Sequence, residues 1–300
     1  MNIAITGANS SVGRSLLRHI TDQQEIHANA GVRTQQALAG LPSSPHITPC
    51  LVNYNDTSGL SSLLTNAGCV VHLAGILLES STSTYQRANI DTTQTVVEAC
   101  RQARVDHLIF ISVLGADPHS SNRYFQSKGQ AEQAVKDSGI SATIIRTPIL
   151  LGPGTAGARS LLHVASRPSV KLLGGGHYSM HPLDVDDLSQ AILNCARAQQ
   201  PGVALHDLAG PQSITYRALV AEVSHRLGQK ISIGSIPIWA GKLGAALQNL
   251  IRRQGMTPTV IEVITTNEVV RQNAAADLGV SLTPLSSTLD DLIHGKTQQS

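Results

Sequence analysis

Aromatic side chains make up only 3% of the 300 residues, with one tryptophan and two phenylalanines. So thin a supply excludes a base-stacking platform for single-stranded nucleic acid. Charged residues reach only 14%, the net charge is +2, and no basic block is long enough to track a phosphate backbone. No nucleic acid is therefore expected among the partners. The four cysteines (Cys50, Cys69, Cys100, Cys195) are widely spread with no C-x-x-C pair, a pattern of buried thiols in a reducing cytoplasm and not of disulfides or zinc. No apolar run approaches a membrane span. Met1 leads within two residues into "IAIT", a first strand in place of the basic and apolar regions of a secretory signal. With 41% hydrophobic residues, a large core is available and disorder is excluded.

What is present is a regular alternation of apolar runs and helical stripes. "NIAIT" precedes a helix from about Ser11 with Val12, Leu16, Leu17 and Ile20 on one side. "EIHANAGVR" sets Ile26, Ala28, Ala30 and Val32 on one strand face, and "HITPCLV" is a third strand that Pro49 keeps out of a central ladder. "CVVHLAG" and "HLIFISV" are continuous apolar runs, as in parallel strands covered on both faces, with the helix "IDTTQTVVEACRQAR" between them. The helix "YFQSKGQAEQAVKDSG", stopped by Gly139, and the strand "ATIIRTPILL" follow. This spacing predicts an α/β fold, a right-handed doubly wound parallel sheet over residues 1–151. Residues 152–300 read as a mixed segment: Gly-, Ser- and Pro-rich loops, the acid-capped helix "VDDLSQAILNCAR", and a smaller α+β lobe closing over the ligand side.

The first strand-to-helix turn, "TGANSSVG", is where such a sheet holds a dinucleotide. Gly7 permits the tight turn and Gly13 the close helix packing, but Ser10 occupies the place of the middle glycine. Serine is a mild replacement, since Ser10 or Ser11 can cap the helix whose free N–H groups attract an anion. The second strand ends in "GVRT": no carboxylate for the ribose hydroxyls of NAD, but Arg33, whose guanidinium suits a ribose phosphate. NADP is therefore the expected cofactor and NAD the alternative. Further on, "NRYFQSKGQAE" places Tyr124 and Lys128 four apart on one helix face at the ligand edge of the sheet.

With these residues the chain resembles the short-chain dehydrogenase/reductase superfamily in its extended and atypical branches. The pieces "TGANSSVG", "HLAG", "NIDTTQTVVEAC", "YFQSK", "GPG", "HPLDVDDLSQAI", "HDLAGPQSITYRALV" and "DLGVSLTPLSSTLDDLI" occur in the family's order across nearly the whole chain. It is most similar to the atypical group related to the NAD(P)-binding accessory subunit of respiratory complex I and to NmrA-like oxidoreductases. The resemblance implies a Rossmann-like fold, with Tyr124 exchanging a proton with a carbonyl or alcohol. Lys128 would lower the Tyr124 pKa and hold the nicotinamide ribose. It further implies Gly7, Ser10, Ser11 and Val12 beside the pyrophosphate and Leu73, Ala74 and Gly75 beside the adenosine ribose. Asn53 would stand where an aspartate often meets adenine, and Thr147 and Pro148 near the nicotinamide. Ser112 is the candidate for the serine that orients a substrate oxygen, although by the sugar-epimerase spacing Leu114 takes that place. Ser112 reads equally as a strand-end hydroxyl bonded to backbone. Asn89 matches an architectural asparagine, and the "VYG" segment of sugar-nucleotide epimerases is missing.

Other features have plainer readings. His177 and His181 are four apart, but the glycines before them and Pro182 exclude a metal-binding helix. Asp184, Asp186 and Asp187 are capping charges. The stretch 236–253, "IPIWAGKLGAALQNLIRR", is apolar with two terminal arginines, suited to a membrane surface or protein partner or to packing within the lobe. The expected protein is thus an NADP-preferring oxidoreductase acting on a small carbonyl or alcohol, with a homodimer unsurprising. Its rivals are a non-catalytic NADP sensor or structural subunit of a larger complex, and a cofactor-retaining epimerase or dehydratase.

Overall fold

The computed structural model describes the backbone of residues 1–23, 25–252 and 256–297, and the side chains of these except 248–252 and 295–297. The first half alternates strands with helices: β1 (Asn2–Thr6), α1 (Ser11–Thr21), β2 (His27–Val32), α2 (Gln35–Ala39), β3 (Ile47–Leu51), α3 (Ser61–Leu64), β4 (Cys69–His72), α4 (Thr92–Gln102), β5 (His107–Val113), α5 (Arg123–Lys136) and β6 (Ser141–Thr147). The second half adds β7 (Leu150–Leu151), α6 (Ala156–Ala165), β8 (Ser169–Leu173), β9 (Ser179–Met180), β10 (Leu183–Asp184), α7 (Val185–Ala198), β11 (Val203–Asp207), β12 (Ile214–Thr215), α8 (Tyr216–Arg226), β13 (Ser232–Ile236), α9 (Ile238–Arg252), α10 (Pro258–Thr265) and α11 (Leu285–Thr297).

Seven strands form one parallel sheet in the order β11-β6-β5-β4-β1-β2-β3. The order reverses between β1 and β4, which opens a crevice at the carboxyl ends of those strands. The strands are apolar throughout because both faces are covered. Ile3, Ile5, Val71, Ile109 and Ile145 pack under α1 and α7 with Leu16, Leu17, Leu188 and Ile192. Ala4, Val70, Leu108, Phe110 and Ile144 pack under α3, α4 and α5 with Leu63, Val96, Cys100 and Val135. Proline 49 lies on the edge strand, opposite Ala30, where its missing N–H breaks no central ladder.

Three sequence expectations are refined. "ATIIRTPILL" is not one strand: Pro148 ends β6, and Leu150–Leu151 pair instead with Leu183–Asp184. The helix at "IDTTQ" is preceded by a π-helical turn, Gln86–Asp91, where Thr92 and Thr93 hydroxyls donate to the carbonyls of Arg87 and Asn89 at 2.8 and 2.7 Å. Segment 152–300 is shared between the two layers, since β11 pairs with β6 and α7 packs on α1. The remainder builds a smaller core around Leu161, Leu172, Tyr178, Leu219 and Leu289.

The acidic cluster at the start of α7 is structural. Asp184 caps the helix through the Asp186 N–H and accepts from Thr288, Asp187 accepts the N–H and hydroxyl of Thr283, and Asp186 accepts from Ser15 on α1. His177 and His181 flank the short strand β9, and among the described residues no cluster of metal-binding side chains occurs.

Candidate functional site

The glycine loop is drawn tight by contacts that only glycine permits. Gly7 has φ +66°, and a Cβ there would lie 3.2 Å from the Ala74 backbone N and 3.3 Å from the Leu73 carbonyl carbon. A Cβ on Gly13 would come within 2.4 Å of the Ala8 carbonyl oxygen. Ser10 resolves its own anomaly: it is the N-cap of α1, its Oγ accepting the Gly13 N–H at 3.0 Å. The hydroxyl supplies the helix with an acceptor where a middle glycine supplies only clearance. Ser11 and Val12 open the first turn of α1, and the Ala8 N–H is tied to the Gly31 carbonyl at 3.1 Å. With Leu73, Ala74 and Gly75 on its other side, the loop thus sits at the crevice with the helix N-terminus, the geometry that receives a phosphate.

Beside the loop runs an open groove of about 850 Å³, lined among others by Arg33, Asn53, Tyr54, Asn55, Arg87 and Asp91. Arg33 follows β2 and Arg87 lies in the turn before α4, so two guanidinium groups face one groove from different elements. Asn53 forms a local turn, its Oδ1 accepting from the Asn55 N–H at 3.1 Å. Tyr54 escapes sequence reasoning. Its buried hydroxyl lacks a well-formed hydrogen bond. Burial pushes its pKa up to about 12, against the nearby Thr6 hydroxyl, the Arg33 charge and the Gly7 backbone. Tyr124 and Lys128 do not line this groove.

Tyr124 and Lys128 lie on the buried side of α5, whose N-cap, Asn122, accepts from the N–H groups of Tyr124 and Phe125. The Tyr124 ring is 5.7 Å from Tyr85 and 5.9 Å from Phe125. Lys128 Nζ donates to the Ile111 carbonyl at 2.9 Å and stands 4.2 Å above the Phe110 ring. A Cβ on Gly75 would be 4.0 Å from that Nζ, which joins the β4 loop to the α5 pair. Burial lowers Lys128 to about 8, opposed by Glu132. The expected lowering of Tyr124 by Lys128 does not hold here: burial, then the Tyr85 phenol, raises it, and Lys128 is turned to a backbone carbonyl. Tyr124 is accordingly a protonated phenol at neutral pH.

Ser112 lies near the end of β5, 1% exposed, and its Oγ has no hydrogen-bond partner. The reading as a hydroxyl satisfied by backbone is therefore excluded. Its carbonyl accepts from Thr147 Oγ1 at 3.4 Å, so Thr147 joins it across the β5–β6 ladder, with Pro148 next along the chain.

Beneath these groups runs a buried hydrogen-bonded chain whose direction is fixed. The Leu73 N–H donates to Thr6 Oγ1, and Thr6 donates to His72 Nδ1 at 2.6 Å. His72 Nε2 donates to Thr93 Oγ1 at 3.0 Å, because that hydroxyl has already given its proton to the Asn89 carbonyl. Asn89 clamps both backbone groups of Ile76 and donates to Ser127 Oγ, which donates to the Tyr124 carbonyl. Burial, then the Lys128 charge, lowers His72 to about 3, so it stays neutral. The chain ties the loop after β4, beside the glycine loop, to the helix that carries Tyr124 and Lys128.

The chain is similar to several known proteins. The NAD(P)H-binding family matches residues 7–170. A ceramide reductase of Caulobacter vibrioides is 25% identical over 267 residues, 86% of this chain and 80% of that protein. A 4-hydroxy-2-methyl-3-oxo-4-farnesyl-3,4-dihydroquinoline-1-oxide ketoreductase of Stigmatella aurantiaca is 23% identical over 268 residues, 82% and 79% of the two chains. The NADH dehydrogenase 1 alpha subcomplex subunit 9 of Arabidopsis thaliana is 22% identical, covering 93% of this chain and 73% of its own. Among solved structures, MoeE5 in complex with UDP-glucose and NAD superposes with a TM-score of 0.75 at 20% identity, covering 100% and 99% of the two chains. That likeness is one of fold.

Proposed function

Because the chain belongs to the NAD(P)H-binding family, of the atypical short-chain dehydrogenase/reductase kind, we propose that it is a reductase of a carbonyl borne by a long-chain hydrophobic substrate, with NADPH as reductant. The observation that carries this reading is Tyr124 and Lys128 on one buried face of α5, with the unpartnered Ser112 hydroxyl near the end of the adjacent strand. A bound reduced nicotinamide supplies the hydride. Tyr124 Oη supplies the proton that completes the alcohol, and Lys128, on the same face of α5, would hold the nicotinamide ribose hydroxyls. Ser112 Oγ holds the substrate oxygen. Arg33 and Arg87 favour the ribose phosphate of NADPH, no carboxylate standing at the end of β2 to take ribose hydroxyls. Support for the substrate class comes from relatives whose names specify a ceramide and a farnesyl-bearing ring. Four free, buried thiols suit a reducing compartment such as the cytoplasm.

One paired experiment tests this. In turnover assays with long-chain ketones, Tyr124→Phe lowers kcat about 100-fold or more while NADPH affinity stays within about twofold. In calorimetry, Arg33→Ala weakens NADPH about tenfold and leaves NADH unchanged. Unaltered turnover in the first variant removes Tyr124 from the chemistry, and equal loss of both nucleotides in the second removes the phosphate preference. A cofactor-binding subunit without activity would bind NADPH and turn over nothing in the same assays.

A further inference from the structure

Helix α9 has two unlike sides. Its inner side is built for contact: a Cβ on Gly241 would come within 2.3 Å of the Leu173 side chain, Ile238 approaches Gly174, and Ala245 is buried. Its outer side carries Trp239, Leu243 and Leu247, which are 71%, 55% and 56% exposed. They recur at every fourth residue and so form one row along the helix.

We propose that this row is a docking face for an anionic lipid surface. Three observations select a lipid over another protein or a second copy. Among the described residues the row is narrow: one indole and two leucines cover a few hundred Å², against about 800 Å² per partner in a stable protein interface. Shallow insertion into a bilayer requires no more than such a row. Residues 238–253 hold Lys242, Arg252 and Arg253 and no acidic residue. Lys242 is paired with Glu262 at 3.0 Å, so the tandem arginines at the end of the stretch carry its basic character; the side chain of Arg252 and the whole of Arg253 are outside the described residues. A basic stretch suits anionic headgroups and opposes self-association face to face. Tryptophan is also the side chain that best occupies the headgroup level, with an apolar body and an N–H donor.

Packing contacts link the helix of this face to the helix of the candidate site. Lys242 on α9 pairs with Glu262 on α10, Gly241 lies near Ile261, and α10 offers its Thr259 carbonyl to Asn122 Nδ2 at 3.1 Å. Asn122 caps the helix that begins one residue before Tyr124. On the reductase reading, a bilayer held at α9 would bring a long-chain substrate to the side of the protein that carries Tyr124; the vesicle binding itself does not depend on that reading.

Because Trp239 is the sole tryptophan of the chain, its emission reports the face directly. The purified full chain is mixed with vesicles of phosphatidylcholine alone, and with vesicles containing phosphatidylglycerol as well. The expected result is a blue shift and co-sedimentation with the anionic vesicles, reversed by salt and weaker on phosphatidylcholine alone. Leu243→Gln and Leu247→Gln each weaken partition about tenfold, with melting temperature and NADPH affinity unchanged because both leucines are exposed. Unmoved emission with the protein left in the supernatant overturns the proposal. So does a dimer that either substitution dissociates, since the face would then belong to a second copy. Tyr124→Phe leaves vesicle binding intact, so failure of the enzyme reading is read separately.

Discussion

Ser127 and Lys128 are neighbours on α5, yet they belong to regions that treat polar groups in opposite ways. Ser127 ends a chain running through Thr6, His72, Thr93 and Asn89, in which each side-chain proton has an acceptor. Lys128 stands in the second region, with the unpartnered hydroxyl of Ser112 and an ammonium whose burial is opposed by a carbonyl, a ring face and Glu132. An unsatisfied buried polar group costs about 1–3 kcal/mol. A fold that satisfies every member of one network a few residues away is capable of satisfying these as well. The difference teaches which groups are scaffold and which wait for a ligand to complete them.

The contrast can be broken by substitution. Asn89→Leu strips Ile76 of both its partners and Ser127 of its donor, so unfolding in urea should lose about 3 kcal/mol of stability. A loss below about 0.5 kcal/mol would mean that the chain is not a scaffold. Lys128→Met should do the reverse. The unfolded chain keeps the Lys128 proton to its ordinary 10.5 and the folded chain only to about 8, so between those values the unfolded state binds more protons and stability rises with pH. At pH 7 the buried ammonium therefore carries its full penalty. Replacing it by methionine should raise the melting temperature of the nucleotide-free protein by a few degrees, an advantage that shrinks toward pH 10, while turnover is lost. Scanning fluorimetry at both pH values checks the sign. Smallest in stability is Ser112→Ala, which breaks no hydrogen bond: unfolding should move by less than about 0.5 kcal/mol. Its kcat/KM should nonetheless fall about tenfold. A large stability loss there would show that Ser112 is scaffold after all.

Much of the sheet could be read from the chain, because parallel strands covered on both faces are continuous apolar runs and the helices between them show their stripes. The loop glycines, Arg33 and the Tyr124–Lys128 spacing were equally plain, being local signals. What escaped was long-range. Tyr54 reaches Gly7, and His72 joins Thr6 to Thr93, through contacts that no local pattern encodes. The role of Ser10 as the cap of α1 turned on one hydrogen bond, from the Gly13 N–H. The apolar character of the α9 stretch was visible. Which of its side chains form an exposed row was not, because exposure depends on what α10 and β8 cover.

The seventh strand of the sheet has a consequence for synthesis on the ribosome. β6 is complete at Thr147, but its outer neighbour, β11, is not available until Asp207 has emerged. Until then the nascent chain presents an open parallel edge rich in isoleucine, a template for pairing with other chains. A fragment ending at residue 151 would keep that edge permanently. The sheet is therefore complete only once residue 207 is present, and the stretch that must be expressed whole to cover it is longer than the stretch that holds the glycine loop.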